Sequence, residues 1–386
     1  MTPAARVAAA IEVLDTVLAG QAAEVALSRW GRASRFAGSK DRAAIRDHVF
    51  DALRCQRSFA WLGGAGTGRG LMLGACRAAG IARETLFDGS RFGPAPPGPS
   101  ETGAPLKTAP RGVRLDIPDW QLPLWDAGPA DTDAALETLR HRAGVFLRVN
   151  RRKADLPTAR ARLRDEGIET APVPGAPLAL QVRTNPRRVT GTQSFADGVV
   201  ELQDPASQMA VARLGLRDGM RVLDLCAGGG GKALAMAAAA DVQVVAHDID
   251  ARRMADIAPR AARAGVRIET VDPGRITGRF DLVLIDAPCS GSGTWRRAPE
   301  AKWALTPARL EALCATQDRL LDQGAGLLAP GGRLAYATCS VFAAETADRV
   351  SAFLARRPEA RADTPLRLDP DAAQDGFYLS RNDNIA

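Results

Sequence analysis

The stretch Met220-Arg221-Val222-Leu223-Asp224-Leu225-Cys226-Ala227-Gly228-Gly229-Gly230-Gly231-Lys232 is a β-rich run that passes straight into four glycines. A strand that ends in such a loop, with a helix to follow, brings bare backbone and a helix N-terminus up to a ligand. A Walker phosphate loop is excluded, because Cys226 stands where its first glycine is needed and Ala233 replaces its Ser or Thr. The next β-rich run ends in Asp248, 24 residues beyond Asp224. An acid at that place binds the hydroxyl pair of a ribose. The motif therefore specifies a nucleoside cofactor on a doubly wound sheet, and leaves nicotinamide dinucleotide and S-adenosylmethionine both open.

Toward the C-terminus the alternation continues. The runs VRIET (266–270), FDLVLID (280–286) and GRLAYAT (332–338) read as strands, and helices are predicted over Ala251–Ala264 and Pro307–Leu328. This pattern predicts a doubly wound parallel sheet from about residue 203 to the end. The fourth run leads into Asp286-Ala287-Pro288-Cys289-Ser290-Gly291-Ser292-Gly293, and the fifth into Thr338-Cys339-Ser340. Asp286, Cys289 and Cys339 thus fall at strand carboxyl ends, the edge where open α/β sheets bind ligands. Cys55, Cys76 and Cys314 read as structural thiols. None of the six cysteines forms a C-x-x-C pair, and the three histidines stand apart from them. That argues against a zinc site or a disulfide framework, and fits a reducing cytoplasm with no metal.

Two thiols and an acid suit a particular chemistry. Carbon 5 of cytosine is too electron-poor to take a methyl group unaided. A thiolate adding to carbon 6 makes an enamine whose carbon 5 is nucleophilic. An acid beside N3, the place given to Asp286, stabilises the charge that develops. A second thiol can assist release of the first.

Toward the N-terminus lies a stretch dense in arginine, from Arg140 to Arg164. VFLRVN (145–150) predicts a strand and LPTARARLRDEGI (156–168) a helix ended by Gly167, together a phosphate-facing surface. The net charge of +7 and pI near 9.4 agree with an acidic partner. Residues 1–87 read as helical, beginning with an amphipathic helix that carries Glu12 and Asp15 and is not a signal peptide. Residues 88–110 are rich in Gly and Pro and predict a flexible loop; no stretch has the length and apolarity of a membrane span.

Taken together, DAPCSGSG, TCS and the glycine loop ending in GGK resemble the RsmB/Nop (Sun) family of RNA cytosine-5 methyltransferases, of the bacterial ribosomal RNA type. The likeness extends to LRVNRRK (147–153), ELQDPASQ (201–208), RRAPEAKW (296–303) and QDGFY (374–378), while SKDRAAIRDHVFDALR (39–54) resembles the NusB-like helical domain of its bacterial members. The resemblance implies a NusB-like all-α domain over 1–135, a basic α/β RNA-contacting subdomain over 136–202, and a Rossmann-like class I methyltransferase domain over 203–386. It implies Cys339 as nucleophile, Cys289 as the residue of product release and Asp286 at the base. Cofactor contacts would come from Cys226, Ala227, Gly228, Gly229, Gly230, Gly231, Lys232, Asp248, Asp272 and Asp286. RNA contacts would come from Arg148, Asn150, Arg151, Arg152, Lys153, Arg297 and Lys302. The expected cofactor is S-adenosyl-L-methionine, the expected partner ribosomal RNA, most directly 16S, and the expected state a monomer in the cytoplasm with no membrane contact. Three departures stand out: Gly228-Gly229 replaces the family's Ala-Pro, Asp272 is one residue out of step, and Thr346 follows Glu345 where the family has Asn. Competing readings are a transfer RNA cytosine-5 methyltransferase, a nicotinamide-dependent oxidoreductase and a non-catalytic RNA-binding scaffold.

Overall fold

The structure, a computed structural model, describes every residue except Asn384 and Ala386. It divides into two compact units, one of Met1–Asp126, Asp131–Arg142 and Trp295–Ala304, the other of Ala127–Ala130, Ala143–Thr294 and Leu305–Ala386.

The first unit is helical: α1 (Pro3–Leu18), α2 (Ala23–Ala33), α3 (Ser39–Arg54), α4 (Gln56–Gly63) and α5 (Gly68–Ala78). Pro3 opens α1 where its missing N–H costs nothing, and the Thr2 hydroxyl accepts from Ala5 N at 3.1 Å. The apolar stripe Val7, Ala10, Val13 and Leu14 buries against Ile45, Val49 and Leu53 of α3 and Leu71 of α5. Helices α4 and α5 touch backbone to backbone, because a Cβ on Gly74 would lie 1.9 Å from the Phe59 carbonyl oxygen. The Gly/Pro stretch 88–110 has no helix or strand beyond a turn at Leu106–Thr108, as its composition predicts. It is nevertheless tied down, since Glu101 pairs with Arg69 and Ala104 N donates to Trp61 O at 3.1 Å.

A segment remote in sequence completes this unit. Trp295 is buried against Trp125 with ring centroids 5.9 Å apart, and Trp303 Nε1 donates to Leu53 O at 2.7 Å. No charge pattern or periodicity marks residues 295–304 as part of the helical unit, so the predicted boundaries differ from this division.

In the second unit, β1 (Phe146–Val149), β2 (Thr170–Val173), β3 (Ala176–Val182) and β4 (Val200–Leu202) form an antiparallel sheet in the order β2-β3-β1-β4. The predicted basic helix runs over Leu156–Asp165, with Asp155 as its N-cap and Gly167 at φ +80° beyond its end. Its Ala159 and Leu163 pack on Leu147, Val149 and Leu180.

The larger sheet contains β5 (Arg221–Asp224), β6 (Gln243–His247), β7 (Ile268–Val271), β8 (Phe280–Asp286), β9 (Leu328–Thr338), β10 (Arg361–Ala362), β11 (Leu366–Leu368) and β12 (Phe377–Asp383). Its order is β10-β12-β9-β8-β5-β6-β7, with β11 also on β12. Strands β5 to β9 are parallel, as predicted, but β12 is antiparallel to β9 and makes the sheet mixed. The order reverses between β5 and β8, the switch point where a ligand cleft forms. The helix predicted over Ala251–Ala264 is broken into a turn at Ala251–Met254 and a helix at Ile257–Ala264. Pro259 explains the restart: as third residue of a helix it lacks only an N–H that has no intrahelical acceptor. Among the described residues no helix is long and apolar enough to cross a membrane, and no group of acids, cysteines and histidines has the makings of a metal site.

Candidate active site

Strand β5 delivers Asp224 to the cleft edge, fully buried, with the Ala233 N–H and the Lys232 ammonium nearby but neither carboxylate oxygen in a well-formed hydrogen bond among the described residues. Burial, reinforced by the nearby Asp286 carboxylate, pushes its pKa up to about 7. The chain then turns through Gly228 and Gly230, both in the left-handed region at φ +51° and +79°. A Cβ on Gly230 would approach Ile257 Cγ1 to 2.7 Å, so glycine is needed there for space as well as for conformation. Helix Gly231–Ala239 starts directly after, leaving its N-terminal N–H groups toward the cleft.

The acid at the end of β6 controls this loop. Asp248 is buried, and its Oδ2 accepts from Gly228 N and from Arg253 Nη1, each at 2.9 Å, while Oδ1 accepts from Asp250 N at 3.0 Å. Asp272 stands exposed one residue past β7, on the same edge. Cys226 lies beside Asp224, and burial holds its thiol far above the ordinary range, which leaves it inert. An unpartnered buried carboxylate and a ribose-type acid fit a nucleoside that also carries positive charge. S-adenosylmethionine, with its sulfonium and ammonium, is such a ligand. A pyrophosphate would meet the carboxylates of Asp224, Asp248 and Asp286, which disfavours a nicotinamide dinucleotide.

Strands β8 and β9 carry the reactive groups. Pairing of Asp286 with Ala337 sets the two strand ends level, and the loops beyond place Cys289 Sγ 3.5 Å from Cys339 Sγ. Lys232, at the head of its helix, donates to Asp286 Oδ2 at 2.6 Å, and its ammonium stands 4.9 Å from the centre of the Phe377 ring. Thr294 Oγ1 reaches Cys339 Sγ at 3.9 Å. The thiols are electrostatically unequal. The hydrogen bond from Cys289, helped by the Lys232 ammonium, lowers the pKa of Cys339 against the opposing effects of burial and Asp286. The same hydrogen bond, together with burial, holds Cys289 protonated well above its ordinary value. Of the two thiols, Cys339 is thus the one that gives up its proton more readily.

Both cysteine loops meet on one buried carboxylate that the sequence reading passed over. Glu345 Oε1 accepts from Ser290 N at 2.8 Å and from Gln317 Nε2 at 3.1 Å, and Oε2 accepts from Ser340 Oγ at 2.6 Å and from the Ser290 hydroxyl. Asp224 was likewise missed as a site residue. Its position at a strand end before the glycine loop was legible, but its lack of partners was not.

The expected RNA contacts separate into two groups. Arg148 and Asn150 are buried, with Arg148 Nε on Gln203 Oε1 at 2.7 Å and Asn150 Nδ2 on Ala264 O at 2.8 Å. Lys302 is buried in the helical unit, and its ammonium donates to Arg54 O at 2.9 Å. These three correct the expectation: interior side chains held by protein acceptors present no face to a phosphate. Arg151, Arg152, Lys153 and Arg297 are exposed. Arg152 and Lys153 also cap backbone carbonyls of Ala240, Asp197 and Arg263 at 2.6–2.7 Å.

Fold and site together define a doubly wound α/β protein with a nucleoside-cofactor loop and a paired-thiol centre. Residues 211–380 match the family described as 16S rRNA methyltransferase RsmB/F, and residues 117–190 match the ferredoxin-like domain of RsmF/B-like methyltransferases. Ribosomal RNA small subunit methyltransferase B of Klebsiella pneumoniae subsp. pneumoniae is 36% identical over 252 residues, 63% of this chain and 58% of that protein. The Salmonella arizonae protein of the same name is 34% identical over 286 residues, 70% of this chain and 66% of its own length. The matches thus span somewhat under two thirds of these relatives. The crystal structure of PH0851 superposes over 99% of both chains with a TM-score of 0.76 at 22% identity. A methyltransferase homolog protein from Pyrococcus horikoshii covers 70% of this chain and 97% of its own, with a TM-score of 0.62 at 23% identity. Both share the fold. The chain belongs to the RsmB/F methyltransferase family.

Proposed function

We propose that this protein methylates carbon 5 of a cytosine in 16S ribosomal RNA, in the cytoplasm, through a covalent cysteine–cytosine adduct. The observation that carries the reading is the thiol pair, 3.5 Å apart, at the switch-point edge beside the Lys232–Asp286 pair. The names of the relatives supply the ribosomal substrate.

Asp224, the Gly228–Gly231 loop and Asp248 would hold S-adenosylmethionine, which would supply a methyl group on a sulfonium that leaves as a neutral thioether. The residues of the chain do the rest. The Cys339 thiolate adds to carbon 6, and the electrons of the ring double bond move to carbon 5 and toward N3. The negative charge that reaches N3 is met by a proton from the Asp286–Lys232 pair, whose Nζ and Oδ2 lie 2.6 Å apart, and N3 returns that proton when the ring double bond re-forms. Carbon 5 then takes the methyl group. Its proton leaves to solvent, the carbon 5–carbon 6 double bond re-forms, and the Cys339–carbon 6 bond breaks. Cys289, as the neighbouring thiol, donates a hydrogen bond to the departing Cys339 sulfur and so favours release.

Bisulfite sequencing of ribosomal and transfer RNA from cells with and without the gene tests this reading. Loss of a 5-methylcytosine from 16S ribosomal RNA is expected. Loss from a transfer RNA alone would transfer the activity to that substrate, and loss from neither would overturn the proposal.

A further inference from the structure

We infer that Glu345 is the positioning residue of the paired-thiol site: one buried carboxylate holds the loops of both cysteines and gives the two sulfurs different chemical roles. The inference rests on the two-cysteine reading of the site. Its basis is geometric. Glu345 is fully buried, and the residues that donate to it include Ser290 and Ser340, each directly after a cysteine. Gln317 Nε2 donates both to Glu345 Oε1, at 3.1 Å, and to Pro288 O, at 3.0 Å, which adds a tie on the far side of Cys289. The backbone of Glu345 is fixed in turn by the Tyr336 hydroxyl, which donates to Glu345 O at 2.7 Å from within β9. Ser292 Oγ stands 3.0 Å from Ser340 Oγ and accepts from Val341 N at 2.9 Å, joining the same two loops. The distance between the sulfurs is thus set by a network with Glu345 at its centre.

The carboxylate is placed unevenly. It takes two donors from the Cys289 loop and one from the Cys339 loop. The charged and titratable groups around the pair complete the asymmetry. Cys289 feels the negative charge of Glu345 and of Cys339, and lies near Tyr336, while Cys339 faces the Lys232 ammonium, Asp286 and the Thr294 hydroxyl. The Glu345 charge acts on Cys289 alone of the two, while at Cys339 the Lys232 ammonium works against the Asp286 carboxylate, so Glu345 favours the proton staying on Cys289. Removing the Glu345 charge takes away part of what separates them.

Iodoacetamide alkylation of the full chain, without RNA or cofactor and followed by peptide mass spectrometry, reads each sulfur separately. In the wild-type protein Cys339 should be alkylated first. In Glu345→Gln the shape and one acceptor remain but the charge is gone. Cys289 alkylation should then rise roughly tenfold at a given pH, the equivalent of one pH unit in its titration. A folded Glu345→Gln whose two thiols react as in the wild type would overturn the inference. Should that variant fail to fold, Ser340→Ala retains the charge and removes one bond, so it must keep the Cys339-first order; reversed order there would overturn the inference equally. On substrate RNA, Glu345→Gln should lower kcat and accumulate stalled protein–RNA conjugate with KM for RNA unchanged. A wild-type protein that shows unequal thiols but methylates no RNA would sink the methyltransferase proposal and leave the role of Glu345 standing.

Discussion

The Cys339→Ala and Cys289→Ala variants should fail in different ways. Without Cys339 no thiolate reaches carbon 6, so methylation and covalent adduct should both vanish while cofactor binding survives. Without Cys289 attack and methyl transfer proceed, but the sulfur of Cys339 departs without its hydrogen-bond donor, 3.5 Å away in the wild type. A conjugate that survives denaturing electrophoresis should accumulate, because a covalent intermediate builds up when its breakdown is slowed more than its formation. Conjugate from Cys339→Ala and none from Cys289→Ala would reverse the assignment. Asp224 makes a separate, pH-dependent prediction. Its carboxyl titrates near 3.8 unfolded and about 7 folded, so the folded state holds the extra proton between those values. The contribution to stability is fully present below the unfolded value and is lost as pH rises through about 7. The thermal midpoint of the ligand-free protein should therefore carry a downward contribution of several degrees between about pH 4 and 7 that levels off above about 7, and Asp224→Asn should remove it. An unchanged profile in Asp224→Asn would mean that the carboxylate is solvated or paired in solution.

From the end of β6, Asp248 does two things at once, accepting from Gly228 N of the glycine loop and anchoring Arg253. Asp248→Ala should weaken S-adenosylmethionine binding by about 1.5–3 kcal/mol in calorimetry, through loss of a charge-assisted acceptor and of loop order. Preferential binding of NAD by the wild-type protein would contradict the cofactor assignment. The basic strand and helix form where VFLRVN and LPTARARLRDEGI predict them, yet their arginines do not act as one surface. Arg148 is enclosed, Arg162 pairs with Asp197, and Arg152 and Lys153 brace carbonyls of the fold. Arg151→Ala should reduce the log–log salt slope of RNA binding by roughly 0.7–0.9 if its guanidinium meets a phosphate. Arg148→Ala should lower the thermal midpoint and leave that slope alone, since a buried arginine has no phosphate to release.

At the scale of the molecule, the chain leaves the Cys289 loop at Thr294 and enters the helical unit at Trp295. The anchor there is ionic as well as aromatic. Lys302 and Arg140 lie near the fully buried Asp116, whose Oδ2 accepts from Arg140 Nε at 2.8 Å and from Ser58 Oγ at 2.7 Å. Lys302→Met leaves part of that negative charge uncompensated and should destabilise the protein by about 3 kcal/mol in urea unfolding. RNA binding by the folded variant should keep the wild-type salt dependence; a reduced slope would return Lys302 to the RNA surface.

The local pattern of residues determined the elements and the order of the chemistry along the chain. Alternating strand and helix runs, glycines where φ is positive, and acids and thiols placed directly after strands are all legible because each depends on neighbours in sequence. Thus Asp248, Asp286, Cys289 and Cys339 stand at the strand ends that their motifs predict. Only the tertiary structure decided which side chains are enclosed and which carboxylates lack partners, because burial is a property of the packed chain and not of a motif. For this reason LRVNRRK and RRAPEAKW read as surface, although Arg148, Asn150 and Lys302 are interior. The same reason hid Glu345, six residues beyond Cys339 in sequence, whose importance lies in reaching a loop 55 residues away. The antiparallel β12 was also beyond local pattern, since a strand's direction relative to its neighbour is set by where the chain re-enters the sheet.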